Sequence, residues 1–196
     1  MNKPRKMAVS KEQEIITVAA RLFKEKGYRA TTLEDIAAAV GMLKGSLYYY
    51  IQSKEELLYI VVREPVRQIY NKLEAIVNSD APIKAKIAQA LVNHMTLFHQ
   101  HYPHMAVYLH DYHHLMQKLQ KDVIETPKHY HRLWYALLQQ GIATEELRND
   151  LDLKVTVYAI LGMCNWVYRW YNPEGKQSAE AIAAVFTALV LDGLSR

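Results

Sequence analysis

Thr31-Thr32-Leu33-Glu34-Asp35-Ile36-Ala37-Ala38-Ala39-Val40-Gly41-Met42-Leu43-Lys44-Gly45-Ser46-Leu47-Tyr48-Tyr49-Tyr50 is the stretch on which the fold turns. Thr31 and Thr32 precede Glu34 and Asp35 by three residues, the spacing at which a hydroxyl and a carboxylate cap one helix start reciprocally. Leu33, Ile36, Ala37 and Val40 then line one face before Gly41 stops the helix. After a three-residue break, a second short helix is predicted over 44–50. Two short helices about a tight glycine-containing turn make a helix-turn-helix. On the second one, Leu43, Leu47, Tyr50 and Ile51 share a face at helical spacing, and Lys44, Gly45, Tyr48 and Tyr49 share the opposite one. That opposite face carries no acid of its own. A cation, two phenols and a residue without a side chain suit a major groove, where they reach phosphates and base edges. The alternative, that the tyrosines are simply core, stays open on this stretch alone.

Working outward, Ile15, Ala19, Leu22 and Phe23 predict a helix over 11–26, with Ser10 as its N-cap and Gly27 just past its end. Downstream, Ser53 caps a segment over 54–78, with Glu55 and Glu56 placed to complement the helix dipole. Lys54 is electrostatically out of place there and suits a bound phosphate. Pro65 predicts a bend in this helix. Five further helices follow: 83–101, 104–119, 127–141 with Thr126 as N-cap and Pro127 at its first position, 152–171 from an Asp152 cap, and 178–193 from a Ser178 cap. No run alternates apolar and polar residues in the manner of a strand. The expected fold is all-α, about nine helices in all.

The chain has 196 residues, 51% apolar and 22% charged, with a formal net charge of +4. That excludes a disordered or linker-like chain. A single cysteine, Cys164, excludes an internal disulfide framework and a multi-cysteine zinc module. The basic start lacks the apolar core of a signal peptide, and the longest uncharged apolar stretches fall short of the ~20 residues that cross a bilayer. A cytoplasmic protein with no membrane partner is expected. No glycine-rich phosphate loop follows a strand and no nucleophile stands in a recognisable motif, so neither an enzyme nor a cofactor is expected. Ten of the basic residues lie within the first 60, against seven acids, whereas all nine histidines and all three tryptophans lie beyond. The two ends therefore have different tasks, divided at residues 1–53 and 54–196.

The stretch 31–37, then Gly41, then 44–50, then Lys54-Glu55-Glu56-Leu57-Leu58, closely resembles the N-terminal helix-turn-helix of TetR-type transcriptional regulators. The resemblance covers residues 10–60. It implies an all-helical homodimer whose first three helices bind double-stranded operator DNA as a repressor, and whose remaining helices bind a small-molecule inducer and dimerise. By position it assigns phosphate contacts to Thr32, Ser46, Tyr48 and Lys54, and base reading to Lys44, Gly45 and Tyr49. Two departures stand out: Met42-Leu43 replaces the usual Val-Ser or Val-Thr, removing a hydroxyl N-cap, and Ile51 replaces the usual Phe. Residues 45–51, together with Asn165-Trp166-Val167-Tyr168-Arg169-Trp170-Tyr171-Asn172-Pro173-Glu174-Gly175, are similar to a branch that includes acyl-CoA-responsive repressors of fatty-acid and steroid breakdown.

An acyl or ring system would then be lined by Met95, Phe98, Tyr108, Tyr112, Trp134, Leu138, Met163 and Trp166, with Arg169 placed for the phosphates of CoA. The histidines offer another reading, since His110 and His114, or His101 and His104, could chelate a metal from one helix face. No carboxylate or thiol recurs with them at ligand spacing apart from Asp111, so no metal site is assigned. His94 sits on an apolar stripe and reads as a hydrogen-bonded pocket histidine. A metal-responsive or multidrug-responsive regulator of the same fold is the alternative. Ile182, Val185, Phe186, Leu189 and Val190 repeat at helical spacing and are expected to form the dimer seam, since a two-fold operator needs two reading heads. A stripe in the protomer's own core would show the same spacing.

Overall fold

The computed structural model describes residues 10–118 and 121–195, and the side chains of residues 112–127 lie outside that description. Among the described residues the chain folds into nine α-helices: α1 (Lys11–Lys26), α2 (Leu33–Ala39), α3 (Lys44–Leu47), α4 (Lys54–Val77), α5 (Ile83–Gln100), α6 (Tyr102–Lys118), α7 (Lys121–Ala143), α8 (Leu153–Trp166) and α9 (Ala179–Leu194). The fold is all-α, and its strand-like pairing among these residues is one isolated bridge between Leu147 and Ser195.

Local chemistry sets most helix starts. Ser10, Ser53, Asp152 and Ser178 each accept a backbone N–H from three residues ahead, at 3.0–3.2 Å. Thr32 and Asp35 form the full reciprocal box at the start of α2. Three boundaries differ from expectation. The predicted helix over 44–50 closes after Leu47, because Tyr49 and Tyr50 turn tightly onto the carbonyls of Ser46 and Leu47. The helix expected to start at Pro127 begins at Lys121, so Thr126 is not its cap. Proline keeps a helical φ and removes one hydrogen bond, and the turn before it still forms. The helix from Asp152 ends at Trp166 and passes into a 3-10 turn over Val167–Arg169. The segment expected to be one helix through Pro65 is one helix, α4, with Pro65 buried in it.

The buried residues form one continuous cluster from Ile15 to Leu194. At its centre, α5 packs on α4, α7 and α9, while α1 lies against α4 and α6 and thereby joins the helix-turn-helix to the body. Ile15, Ala19, Leu22 and Phe23 supply the inward face of α1. The stripe expected at the dimer seam divides. Ile182, Phe186 and Val190 are buried in the protomer's own core, where α9 lies along α5, whereas Val185 and Leu189 are 58% and 62% exposed. A spacing of three and four residues spans more than one side of a helix, and α5 claims the inner side.

Gly141 marks the closest approach in this body. A Cβ there would lie 2.5 Å from Leu147 Cδ1 and 2.8 Å from Ile83 Cγ2, both atoms of buried side chains. Gly141→Ala is expected to destabilise the protein by about 1–3 kcal/mol through overpacking, even though alanine is the better helix former. Thermal unfolding is the measurement, and an unchanged or higher Tm would show that the junction of α5, α7 and Leu147 relaxes freely.

Candidate functional site

The turn between α2 and α3 passes through Gly41 at φ 68°, a left-handed conformation that a Cβ would strain. It delivers α3 with Leu47 and Ile51 buried and with Tyr48 and Tyr49 outside, at 49% and 89% exposure. The tyrosines are therefore not core. Leu43 and Tyr50, expected to face inward, are 80% and 42% exposed, because a helix of only four residues is too short to carry a face inward along its whole length. As the missing hydroxyl implied, Leu43 caps α3 with no side-chain hydrogen bond. Lys44 and Gly45 are exposed and Ser46 is half-buried.

The acid-free surface of α3 acquires an acid from its neighbour. Lys44 Nζ hydrogen-bonds Glu34 of α2, ten residues back, and this bond holds the Glu34 carboxyl below the usual carboxylate range. Thr32 is committed to Asp35, whose carboxylate is brought down to about 2, chiefly by accepting the Thr32 backbone N–H and a bond from Lys26. The surface is thus a mixed one, in which Lys44 and Lys26 are each paired with a carboxylate.

Lys54 departs further from its expected role. Its ammonium donates to the carbonyl oxygens of Tyr28 at 2.9 Å and Thr31 at 2.8 Å, with Arg29 at 3.4 Å, and lies 4.5 Å from the centre of the Tyr28 ring. The anion that a cation needs at a helix start is here a set of loop carbonyls. Lys54 therefore clamps the α1–α2 loop to the start of α4.

Among the described residues, two cavities border the body. One, of about 330 Å³, is lined mainly by apolar side chains with His94, Tyr130 and His131 among them, and by Tyr108, Leu161, Asn165 and Tyr168. The other, of about 410 Å³, lies between the last turn of α1 (Lys24, Glu25, Lys26, Gly27) and His110, Asp111, Tyr168 and Arg169. Tyr168 lines both. Of the nine residues expected to bind ligand, Tyr108 lines the first cavity and Arg169 the second. Met95, Phe98, Trp134 and Leu138 are fully packed in the core, Met163 is half-buried outside both cavities, and Trp166 is 58% exposed. The Tyr112 side chain lies outside the described residues. Helical spacing identifies inward faces but does not distinguish a filled interior from a hollow one. Most of the lining was missed, Tyr130 and Tyr168 among it, although Tyr130 stands four residues from Trp134 and Tyr168 one from Arg169.

The histidines disperse. His94 Nδ1 lies 3.0 Å from the Tyr130 hydroxyl, His101 Nε2 bonds Gln68 at 3.0 Å, and His99 bonds the Tyr171 hydroxyl. Burial holds His94 and His104 at about 4, well below the ordinary imidazole. Among the described residues no three potential metal ligands converge. His114 lies outside the described side chains. Cys164 is buried, and its thiol is pushed up to about 12 by desolvation.

Residues 15–59 match the family model for bacterial regulatory proteins of the tetR family, and residues 80–194 match the model for a tetracyclin repressor-like C-terminal domain. The HTH-type transcriptional repressor KstR2 of Mycolicibacterium smegmatis is 31% identical over 190 residues, covering 95% of this chain and 92% of that protein. The structure of the ketosteroid transcriptional regulator KstR2 of Mycobacterium tuberculosis superposes with a TM-score of 0.91 at 28% identity, covering 95% of this chain and 96% of that one. AibR, solved in complex with isovaleryl coenzyme A and operator DNA, has a TM-score of 0.79 at 24% identity over 92% of this chain and 97% of its own, a likeness of fold.

The Lys54 clamp generates a direct expectation. Lys54→Met should cost about 1–2 kcal/mol, the worth of hydrogen bonds from a charged donor, and lower Tm by roughly 2–6 °C without DNA present. Amide exchange over residues 28–35 should rise with it. Unchanged stability and exchange would return Lys54 to a role in which only DNA engages it.

Proposed function

The chain belongs to the TetR family of transcriptional regulators, and from that membership we propose a dimeric repressor that holds a palindromic operator and is released by an acyl-CoA thioester or a similarly amphipathic metabolite. In this reading residues 1–53 are the DNA-binding unit and residues 54–196 the ligand-binding and dimerising body, acting in the cytoplasm. No helix among the described residues is long and apolar enough to cross a membrane. Tyr49, Lys44 and Gly45 read base edges, while Thr32, Ser46 and Tyr48 meet phosphates, in keeping with their exposure around α3. Lys54 serves the interface chiefly by positioning the α1–α2 loop.

The observation that carries the inducer reading is the pair of neighbouring cavities that share Tyr168 as a lining residue. The apolar one suits an acyl or ring system. The polar one offers Lys24, Lys26 and Arg169 to phosphates, with Arg169 stacked 5.5 Å from the Trp166 ring centre. One wall of that second cavity is the end of α1, an element of the DNA-binding unit. A ligand spanning both cavities therefore bears directly on the helix that carries the reading head. Near-complete release requires it to favour the released arrangement by on the order of 10⁴-fold.

Dimerisation falls to the apolar residues left outside. Val155, Tyr158 and Trp166 of α8 and Val185 and Leu189 of α9 are each more than half exposed. Surface of this kind is what a self-complementary partner covers.

Two measurements test the proposal. Operator binding is titrated with CoA thioesters of differing acyl length, beside the free acids and zinc. The thioesters alone should displace DNA, and Arg169→Ala should abolish that response while leaving operator affinity intact. Displacement by zinc alone overturns the thioester reading. In the second, Leu189→Arg, which disturbs no buried residue, should yield a folded monomer that no longer holds the full operator. A monomer that binds it as tightly as the parent protein overturns the dimer.

A further inference from the structure

The start of α3 carries a large apolar side chain turned to solvent. Leu43 is 80% exposed, and among the described residues only Tyr49, at 89%, leaves more of a large hydrophobic side chain in water. The Leu43 backbone is fixed: it is extended at φ −73° and ψ 145°, and its carbonyl accepts the Ser46 N–H at 3.0 Å. Its side chain gives α3 no cap. A serine or threonine in this place would cap the helix and show little apolar surface, so leucine forgoes a local bond and exposes an isobutyl group. The exposed Val155, Val185 and Leu189 lie on α8 and α9, whereas α3 packs against α2. Leu43 therefore belongs to a different surface from theirs.

Two neighbours narrow what Leu43 can meet. A Cβ on Gly45 would have no described atom within 4 Å, and the Gly45 φ is not left-handed, so neither packing nor backbone conformation within the chain calls for glycine there. The space it leaves suits a close approach of the helix start to another molecule. Lys44 is tied to Glu34, so the cation next to Leu43 already has a carboxylate beside it and draws a phosphate less strongly. A recognition helix enters the major groove by its N-terminal residues, and the base edges there present donors, acceptors and one apolar group, the C5-methyl of thymine. Leucine has no hydrogen-bonding atom in its side chain. Of these groups, the methyl is the one it can favour.

Resting on the reading of α3 as the DNA-reading helix, we propose that Leu43 packs on the C5-methyl of one thymine in each operator half-site and specifies thymine there. The contact takes the methyl and part of the leucine out of water, a gain of about fourfold in affinity for one methyl-sized group. Cytosine at the same place is disfavoured, because it presents an N4 amino donor that leucine would cover without accepting from it. Lys44, Gly45 and Tyr49 do not cover this position, and Leu43 adds it to the site as a specificity-determining residue.

The test begins with the full-length protein selecting its site from a pool of random duplexes. Each thymine of that site is then replaced singly by deoxyuridine, which removes the methyl and keeps every hydrogen-bonding group. Binding is followed by fluorescence anisotropy at several salt concentrations. At one thymine of a half-site the replacement should weaken binding of the parent protein about two- to fivefold. Leu43→Ser, which restores a hydroxyl cap, and Leu43→Ala should bind the thymine and deoxyuridine duplexes alike at that position, and Leu43→Met should keep the preference. The salt dependence should be the same in every variant, because no phosphate contact is touched. A parent protein indifferent to every thymine methyl, or a methyl preference undiminished in both Leu43→Ser and Leu43→Ala, overturns the inference. A selected site whose methyls are immaterial leaves the DNA-binding reading standing and refutes this one alone, whereas selection of no site refutes that reading and this inference with it.

Discussion

Lys54 stands where the DNA-binding unit meets the body, and the orientation of one on the other passes through its ammonium. At the first residue of α4 a positive charge opposes the helix dipole, yet three loop carbonyls and the face of Tyr28 surround it. Those carbonyls end the stretch after α1, and Thr31, two residues on from Arg29, hydrogen-bonds back to the carbonyls of Leu22 and Gly27 with its own buried hydroxyl. The capping box of α2 begins at the next residue. The Lys54 bonds, the Thr31 hydroxyl and the α2 capping box thus form a continuous run of contacts from the start of α4 to α2, and the Gly41 turn leads on to α3.

The body places two cavities beside α1 and α4, the helices that this run of contacts joins. The end of α1 forms one wall of the polar cavity, while α6 and the 3-10 turn with Tyr168 and Arg169 form the facing wall. Interiors are close-packed, so filling a cavity at a helix-helix contact shifts whole elements and not single side chains. The apolar cavity beside it is bounded by α4 through Ile69 and Tyr70. Both helices that carry the DNA-binding unit thus border the space a ligand would take.

The cluster of histidines shows how one residue type serves several ends in one segment. His101 and His99 tie α5 and the turn after it to α4 and to Tyr171, and His110 sits exposed beside the buried Asp111. His94 and His131 line a cavity. Among the described residues, density along the chain did not become convergence in space, because successive helical turns send these rings to different neighbours.

The chain by itself determined most of what depends on contacts three or four residues apart. The caps at Ser10, Thr32, Ser53, Asp152 and Ser178, the inward face of α1 and the helix-turn-helix with its exposed Tyr48 and Tyr49 were all legible, because capping and amphipathicity are local. The family signature lay in the same local spacing. What the tertiary structure decided are the partners that close over longer spans: Lys54 bound to carbonyls 23–26 residues away, Lys44 paired with Glu34 across the turn, and His94 bonded to Tyr130 36 residues on. It also decided that Trp134 and Leu138 fill the core while Tyr130 borders a cavity, and that Ile182, Phe186 and Val190 pack on α5 while Val185 and Leu189 stay outside. The physical reason is common to these cases. Periodicity records the direction of a side chain about its own helix axis, and only the packing of the other helices settles whether that direction meets a carbonyl, a filled core, a cavity or solvent.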